Sequence, residues 1–456
     1  MHLHQDFAAA LPELVHPATP PHFPSLQQIY CNTDVATSLL LNPADLSADR
    51  LASLLENNYP AMAYAGHQFG HFSPRLGDGR ALLLGELTKG EDVVDLHLKG
   101  SGPTVFARGG DGKMPVDAAW KEIIYSRALT GLKIPSSRIL AAFTTGEMIK
   151  REQLVPGALI IRAASSHIRV GTFQYAATLG DNVVQTLCDY TIARHYPLAR
   201  GPERYRDFFS SVVERQAQTV ALWMRHGFVH GVMNTDNTTL SGESIDFGPA
   251  AFSDTYNDDA CYSSIDTHGR YRYGYQPSIL GWNLARLAEC LVPLVGLEWA
   301  QETMATFGEV YYRQWLKYMG RALGISHLER SYLESTIEEF MELMKNDQLD
   351  RTLVLRALSE QRALPQVGDL VDSGAWASWM ARWRKMDPNF AAMLKVNPVY
   401  IARNHLVAAS SEDPRVRTLL LDVLGDPFRR RTGQDYAFLE QLAPRDFGPY
   451  HTVCGT

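Results

Sequence analysis

Two oxygen-bearing side chains, Asn237 and Asp246, stand nine residues apart in the stretch 230–248, which reads HGVMNTDNTTLSGESIDFG. An amide oxygen and a carboxylate are hard ligands that suit Mg2+ or Mn2+ on a polyphosphate. Asp236 adds a second carboxylate beside Asn237, and His230 lies seven residues before it. Groups fit to hold phosphate stand upstream. The turn Gly77-Asp78-Gly79 can bring bare backbone N–H groups close to a phosphate, because glycine tolerates the positive φ such a loop needs. Arg80 adds a planar, multi-donor charge. Lys99 closes a strand-like run 20 residues after Gly79. A second Gly-rich segment, 100–113 (GSGPTVFARGGDGK), is too long for a simple turn and carries Asp111 and Gly112 near its end. Arg162 and Arg169 would make charge-assisted bonds to phosphate oxygens. Taken singly, each signal is weak: a GDG turn also closes plain hairpins, and an arginine ending an apolar strand also snorkels to the surface.

Their order carries more weight. Gly-rich turn, strand Lys, helical Glu, His-x6-Asn and Asp-Phe-Gly follow one another as they do in protein kinases. Glu122 comes 23 residues after Lys99, where a kinase uses a helical Glu to hold its Lys. The order departs at one position. Val232 stands two residues after the His, where a kinase keeps its base. Three readings stay open. The site is chemically silent and serves as a scaffold; or it is a phosphotransferase with a rearranged loop; or Asp236 supplies the base from a new angle, with the nucleotide placed differently.

These residues need elements to position them. The runs 81–87 and 93–99 read as strands, the second half-buried through Val94, Leu96 and Leu98. Residues 115–131 read as a helix punctuated by Pro115, Asp117 and Gly131, with Trp120, Ile123, Ile124 and Ala128 as its buried stripe. Further strands are expected over 139–175. From about 176 the pattern turns helical, and Phe209, Val212, Val213, Val220, Trp223 and Met224 mark a long amphipathic helix that Gly227 stops. Residues 238–245 read as a short hairpin that presents Asn237 and Asp246 side by side. The polar, aromatic stretch after Asp254 reads as a mobile activation-type segment, and the chain from Pro277 onward as helices. Residues 1–60 read as an extension that wraps a core. The expectation is an α+β, bilobal, protein-kinase-like fold: a β-rich lobe over 1–175 and a larger helical lobe over 176–456, with terminal extensions.

Bulk properties narrow the partners. At 456 residues the chain exceeds the roughly 250–300 at which a single core stops growing. A net charge of −7 gives no broad nucleic-acid surface. No uninterrupted apolar run approaches the ~20 residues of a membrane span, and the first residues lack the pattern of a signal peptide. The expectation is a cytoplasmic monomer with neither nucleic-acid nor membrane partner. The five cysteines are scattered without a C-x-x-C, which argues against structural zinc and a disulfide framework.

The segments GHQFG, GDGRA, HLKGSG, TVFARGGDGK, IIRAASSHIRVGTFQ, FVHGVMNTDN and IDFGP closely resemble the SelO (YdiU, selenoprotein O) family, over about residues 25–265. Ala107 departs from the commoner Ser before Arg. The resemblance implies a kinase-like protein adenylyltransferase that binds ATP in a flipped orientation and passes AMP to Ser, Thr or Tyr hydroxyls of protein substrates. It implies nucleotide contacts from Gly77, Gly79, Arg80, Lys99, Asp111, Gly112, Arg162, Arg169 and Asp246. It makes Asp236 the base and gives Mg2+ to Asn237 and Asp246; some members transfer UMP with Mn2+. Attack at the α-phosphorus expels pyrophosphate, so fixed cations belong at the β- and γ-phosphates, and Lys99, Arg80, Arg162 and Arg169 suffice. A Cys near the C-terminus is also family-like, and the expectation is a reversible redox pair between Cys454 and Cys261.

Overall fold

The computed structural model describes residues 2–90, 92–363 and 374–452. It opens with α1 (Asp6–Ala10), β1 (Val15–Ala18), β2 (Gln27–Cys31), α2 (Thr33–Ser38), α3 (Ala48–Leu54) and β3 (Tyr59–Met62). β1 pairs with β3, whereas β2 pairs with a long strand far along the chain. The first 60 residues therefore do more than wrap the core: they supply a strand of the main sheet. A small hairpin follows, β4 (Gly66–Gln68) and β5 (His71–Ser73), then the adjacent strands β6 (Ala81–Lys89) and β7 (Asp92–Lys99).

The main sheet is completed by β8 (Met114–Pro115), β9 (Arg138–Lys150) and β10 (Leu154–Ala164), in the order β2-β9-β10-β7-β6 with β8 on β10. Both faces are covered. Leu82, Leu84, Leu96, Leu98, Phe143 and Ile161 pack on one side, while Ile139, Ala142 and Ile160 meet Ile123 of α4 (Val116–Gly131) on the other. Burial on both faces explains runs such as LIIRAA, which do not alternate. It also corrects the half-buried reading of β7, whose other face carries Asp95, His97 and Lys99, all buried. Within α4, Trp120 is only half-buried, and Gly131 lies inside the helix rather than just past it. Gly131 is needed for packing, since a Cβ there would sit 2.0 Å from the Leu424 carbonyl oxygen.

Residues 170–175 depart from the expected strands and open α5 (Val170–Leu179). Thr172 accepts the Arg169 N–H at 3.0 Å to start the turn, and Val170, Phe173 and Ala176 enter the helical core. Tertiary burial overrides the β-propensity of this stretch, and the lobe boundary drawn at 175 falls inside a helix. α6 (Asp181–His195) and α7 (Arg204–His226) follow, and α7 ends at Gly227 with φ 73°. β11 (Phe228–Val229) and β12 (Ala251–Phe252) then pair, closing the base of the loop that carries His230 through Asp246.

The rest is helical: α8 (Gln276–Val295), α9 (Leu297–Ala322), α10 (Arg330–Asn346), α11 (Arg351–Ser359), α12 (Ala375–Lys385), α13 (Phe390–Leu394), α14 (Asn404–Glu412) and α15 (Pro414–Gly425). The stretch Tyr273–Val295 is long and apolar enough to cross a membrane by length and composition, but half of it is buried inside the fold. Arg286 and Glu289 interrupt it, which is why no continuous apolar run shows in the sequence.

Helix α8 also clamps the loop. Gln276 accepts the His230 N–H and donates to the Phe228 carbonyl, both at 2.9 Å, and Asn283 donates to the Met233 carbonyl at 3.0 Å. Gln276→Ala would leave two buried backbone groups unpaired, at roughly 1–3 kcal/mol each. A loss of about 2–4 kcal/mol is expected in denaturant unfolding, and a loss below about 0.5 kcal/mol would mean that Gln276 does not clamp the loop.

Candidate functional site

The polar face of β7 organises a buried cluster of charges. Lys99 Nζ lies 2.6 Å from Glu122 Oε1 on α4 and also pairs with Asp246 Oδ1. Arg162 of β10 reaches the same Asp246 oxygen through Nη1 at 2.8 Å, and its Nε donates to His97 Nδ1 at 3.2 Å. An arginine N–H can only donate, so His97 Nδ1 must be the acceptor and Nε2 must carry the proton. Nε2 then donates to Asp78 Oδ2 at 2.8 Å, and Asp78 Oδ1 accepts Arg169 Nη1 at 3.2 Å. Arg169 lies over the Tyr64 ring, 4.3 Å from its centroid. One chain of bonds thus joins both arginines through His97 and Asp78.

The electrostatics follow from this chain. Burial pushes the His97 imidazole down and keeps it neutral. Burial works against the Asp78 charge, but His97 and Arg169 outweigh it and hold that carboxyl well below the usual range. Burial likewise opposes the Asp246 charge, and Lys99, Arg162 and Arg169 overcome it. Asp246 sits at φ 63°, in the left-handed region that Asp and Asn tolerate better than most residues, and keeps 24% of its side chain exposed.

Asp236 has a different environment. It lies in a single tight turn, Thr235–Asn237. Thr235 accepts the His67 N–H and donates to Gln174, both at 2.7 Å. Gln68 donates to Asp236 Oδ2 at 3.3 Å, while Oδ1 is buried with no partner. Burial pushes the Asp236 carboxyl up to about 6. A Cβ at residue 66 would come within 2.9 Å of Oδ1, so Gly66 keeps that oxygen clear. Asn237 donates its amide to the Val232 carbonyl at 3.0 Å, which leaves its oxygen to accept. His230 pins the loop by bonding the Ile245 carbonyl at 2.9 Å. The expected hairpin reduces to a bridge between Thr238 and Ser244. Among the described residues no group of three or more His, Cys, Asp or Glu could hold an ion alone. Asn237 and Asp246 nevertheless fit Mg2+, which uses one or two carboxylates and completes its shell with phosphate and water.

The two Gly-rich segments are stitched together. Thr104 donates to the Asp78 carbonyl at 2.6 Å and its N–H to the Gly79 carbonyl at 3.3 Å. Gly77 has φ +91° and presses on the Phe106 ring, and Gly112, at φ +66°, packs so closely that a Cβ would lie 2.1 Å from the Gly102 carbonyl carbon. The Arg80 carbonyl accepts the Gly100 N–H at 2.8 Å, and its side chain is half-buried. Asp111 lies at the exposed rim, bonded to Arg151 at 2.8 Å and to the Lys113 N–H rather than to the buried cluster. Of the expected redox pair, Cys454 lies outside the described residues. Burial and Asp266 push the Cys261 thiol up to about 11.

Sequence reasoning passed over Asp78, His97, Tyr64 and Gln68. A signal existed for two of them: Asp78 sits inside the GDG turn, and D-x-H-x-K in β7 places Asp95, His97 and Lys99 on one face.

The family profile described as "Protein adenylyltransferase SelO" matches residues 5–398. "Protein nucleotidyltransferase YdiU" of Mycobacterium sp. (strain KMS) is 44% identical over 475 residues, covering 99% of this chain and 98% of its own. The protein of that name from Cereibacter sphaeroides (strain KD131) is 45% identical over 470 residues, covering 96% of each. A solved structure of ROP2 from Toxoplasma gondii, described as a virulence factor with a protein-kinase fold and no enzymatic activity, aligns over 72% of this chain and 83% of its own. Its TM-score is 0.25 at 9% identity, too slight a likeness to bear on the fold.

His97→Phe would sever the link between Arg162 and Asp78. A bond to a charged group is worth roughly 1.5–3 kcal/mol, so ATP affinity should fall about tenfold or more. His97→Gln can both accept and donate and should recover part of it. The nucleotide-dependent rise in Tm and the KM for ATP check this; equal loss in both variants would limit His97 to a packing role.

Proposed function

The chain belongs to the SelO family of protein adenylyltransferases and is a protein nucleotidyltransferase; we propose that it transfers AMP from ATP to Ser, Thr or Tyr hydroxyls of proteins. The observation that carries this reading is the contrast between two carboxylates in one loop. Asp246 is tied to Lys99 and Arg162 and stays anionic. Asp236 is buried with a bare oxygen and a carboxyl pushed up to about 6, ionised at neutral pH yet basic enough to take a proton. Environments that drive two acids apart assign them different roles. Val232 offers no proton acceptor where a kinase keeps its base.

In the proposed reaction an acceptor hydroxyl gives its proton to Asp236 as its oxygen attacks the α-phosphorus. The new O–P bond forms while the bond from the α-phosphorus to the bridging oxygen breaks, and pyrophosphate leaves with that electron pair. Lys99, Arg162 and Arg169 are the fixed cations that would stabilise the charge growing on the leaving group. Asn237 and Asp246 would hold Mg2+, which supplies Lewis-acid stabilisation of the phosphate oxygens. Arg80, Gly77, Gly79, Asp111 and Gly112 complete the proposed ATP contacts, with the nucleotide flipped relative to kinases. A silent scaffold would have no use for a buried carboxylate oxygen kept bare by Gly66. The expected redox control gains support from the tail, where the Thr452 N–H donates to the Tyr262 carbonyl at 2.7 Å, one residue from Cys261.

Parallel incubations with α- and γ-labelled ATP test the reaction. Label should enter protein from the α position only; label from γ alone means phosphorylation, and none from either means a scaffold. Asp236→Asn should lower kcat by at least about 100-fold, the scale of general-base catalysis, while the nucleotide-dependent rise in Tm persists. For redox control, wild type should respond to reductant and Cys454→Ala should not; indifference in both removes it.

A further inference from the structure

The segment that follows the Asp246 loop frames a cavity of about 610 Å3, lined on its apolar side by Phe69, Ile265, Ile279 and Trp282 and on its basic side by Arg270 and Arg272. None of these side chains takes part in the chemistry above, yet the cavity adjoins it. The Phe69 N–H donates to Tyr271 Oη at 2.9 Å and to Asn234 Oδ1 at 3.2 Å, and Tyr271 Oη donates to the same Asn234 oxygen at 2.6 Å. Asn234 lies two residues before Asp236, and Gln68, which bonds Asp236, immediately precedes Phe69. One hydrogen-bonded unit therefore holds both the cavity wall and the proposed base.

The cavity wall carries a cation that is not ion-paired. Arg270 makes no ion pair among the described residues; its guanidinium lies 5.0 Å from the Trp282 ring centroid, and its Nε is buried without a hydrogen-bond partner. Arg272 pairs at 3.0 Å with Asp259, whose side chain is 80% exposed, a contact that a ligand carboxylate can replace. Asp266 also lines the cavity, but its carboxylate is already engaged: Oδ1 accepts the Arg270 N–H at 2.9 Å and Oδ2 the Tyr271 N–H at 2.7 Å.

We propose that this cavity is the acceptor subsite, which receives a protein segment carrying an acidic residue and an apolar side chain close to the hydroxyl to be modified. The acidic side chain meets Arg270, whose planar fork suits a carboxylate. The apolar one packs on Ile265, Ile279 and Trp282. The hydroxyl then lies beside the bare oxygen of Asp236. This inference rests on the transfer reading above and adds to it the class of segment selected.

The test uses pairs of peptides bearing one Ser, Thr or Tyr, identical except for Asp or Lys beside the acceptor, with α-labelled ATP and the full chain. Wild type should label the Asp peptide with kcat/KM at least tenfold above the Lys peptide, and Arg270→Glu should reverse the order. The milder Arg270→Gln should bring the two toward parity. Its nucleotide-dependent rise in Tm reports folding, so it decides the matter if the charge reversal fails to fold. Equal labelling by wild type, or an undiminished acidic preference in Arg270→Gln, overturns the subsite. If only intact proteins take label, their mapped sites decide: absence of acidic neighbours overturns the subsite and leaves the transfer reading standing. No label from ATP in any peptide or protein overturns the transfer reading itself and this inference with it.

Discussion

The site depends on charges buried in matched numbers. Lys99, Arg162 and Arg169 face Asp78, Glu122 and Asp246, and five of these six side chains are nearly inaccessible to water. Removing an ion from water costs several kcal/mol even after the surroundings relax, and only close partners and complete hydrogen bonding offset it. Each charge here has such a partner. Deleting Lys99 would strand Glu122, deleting Asp246 would strand Arg162, and Asp78 and Arg169 would each strand the other. The neutral His97 extends the set without changing its balance, because its two nitrogens accept from one arginine and donate to the carboxylate of the other.

The fold exists to bring that set together. Lys99 and His97 come from β7, Arg162 from β10, Glu122 from α4, Asp78 from a glycine turn and Asp246 from a loop more than 140 residues beyond Lys99. A sheet covered on both faces gives the strands no freedom to slide, since a one-residue slip would send Lys99 into the apolar layer of Leu96 and Leu98. On the helical side, Gln276 and the β11–β12 pair fix the loop at its base.

Much of this was legible in the sequence, and the rest was hidden for physical reasons. The order of Lys99, Glu122, Asn237 and Asp246 was readable because each stands on a separate element at a spacing that elements impose. The lengths of β6, β7, α4 and α7 followed from apolar periodicity. The stretch VGTFQY looked like strand because its β-branched and aromatic residues favour that state, and only burial against other helices overrides it. His97 was missed because the polar side of an alternating strand reads as solvent-facing, and Asp78 because it sits in a glycine turn; only their partners, 65 and 91 residues away, explain them. Asp111 stands apart: the resemblance puts it among the nucleotide contacts, and its carboxylate bonds Arg151 at the exposed rim.

The left-handed backbone of Asp246 bears on how an inert form of the protein should be built. Alanine there would remove the carboxylate and also strain a backbone at φ 63°. Asparagine shares aspartate's tolerance for that region and changes little but the charge. It would leave Lys99 and Arg162 with one anion fewer in a buried site, and a polyphosphate is the natural replacement. Asp246→Asn is thus the form suited to capturing the nucleotide-bound state, a substrate trap rather than an empty shell.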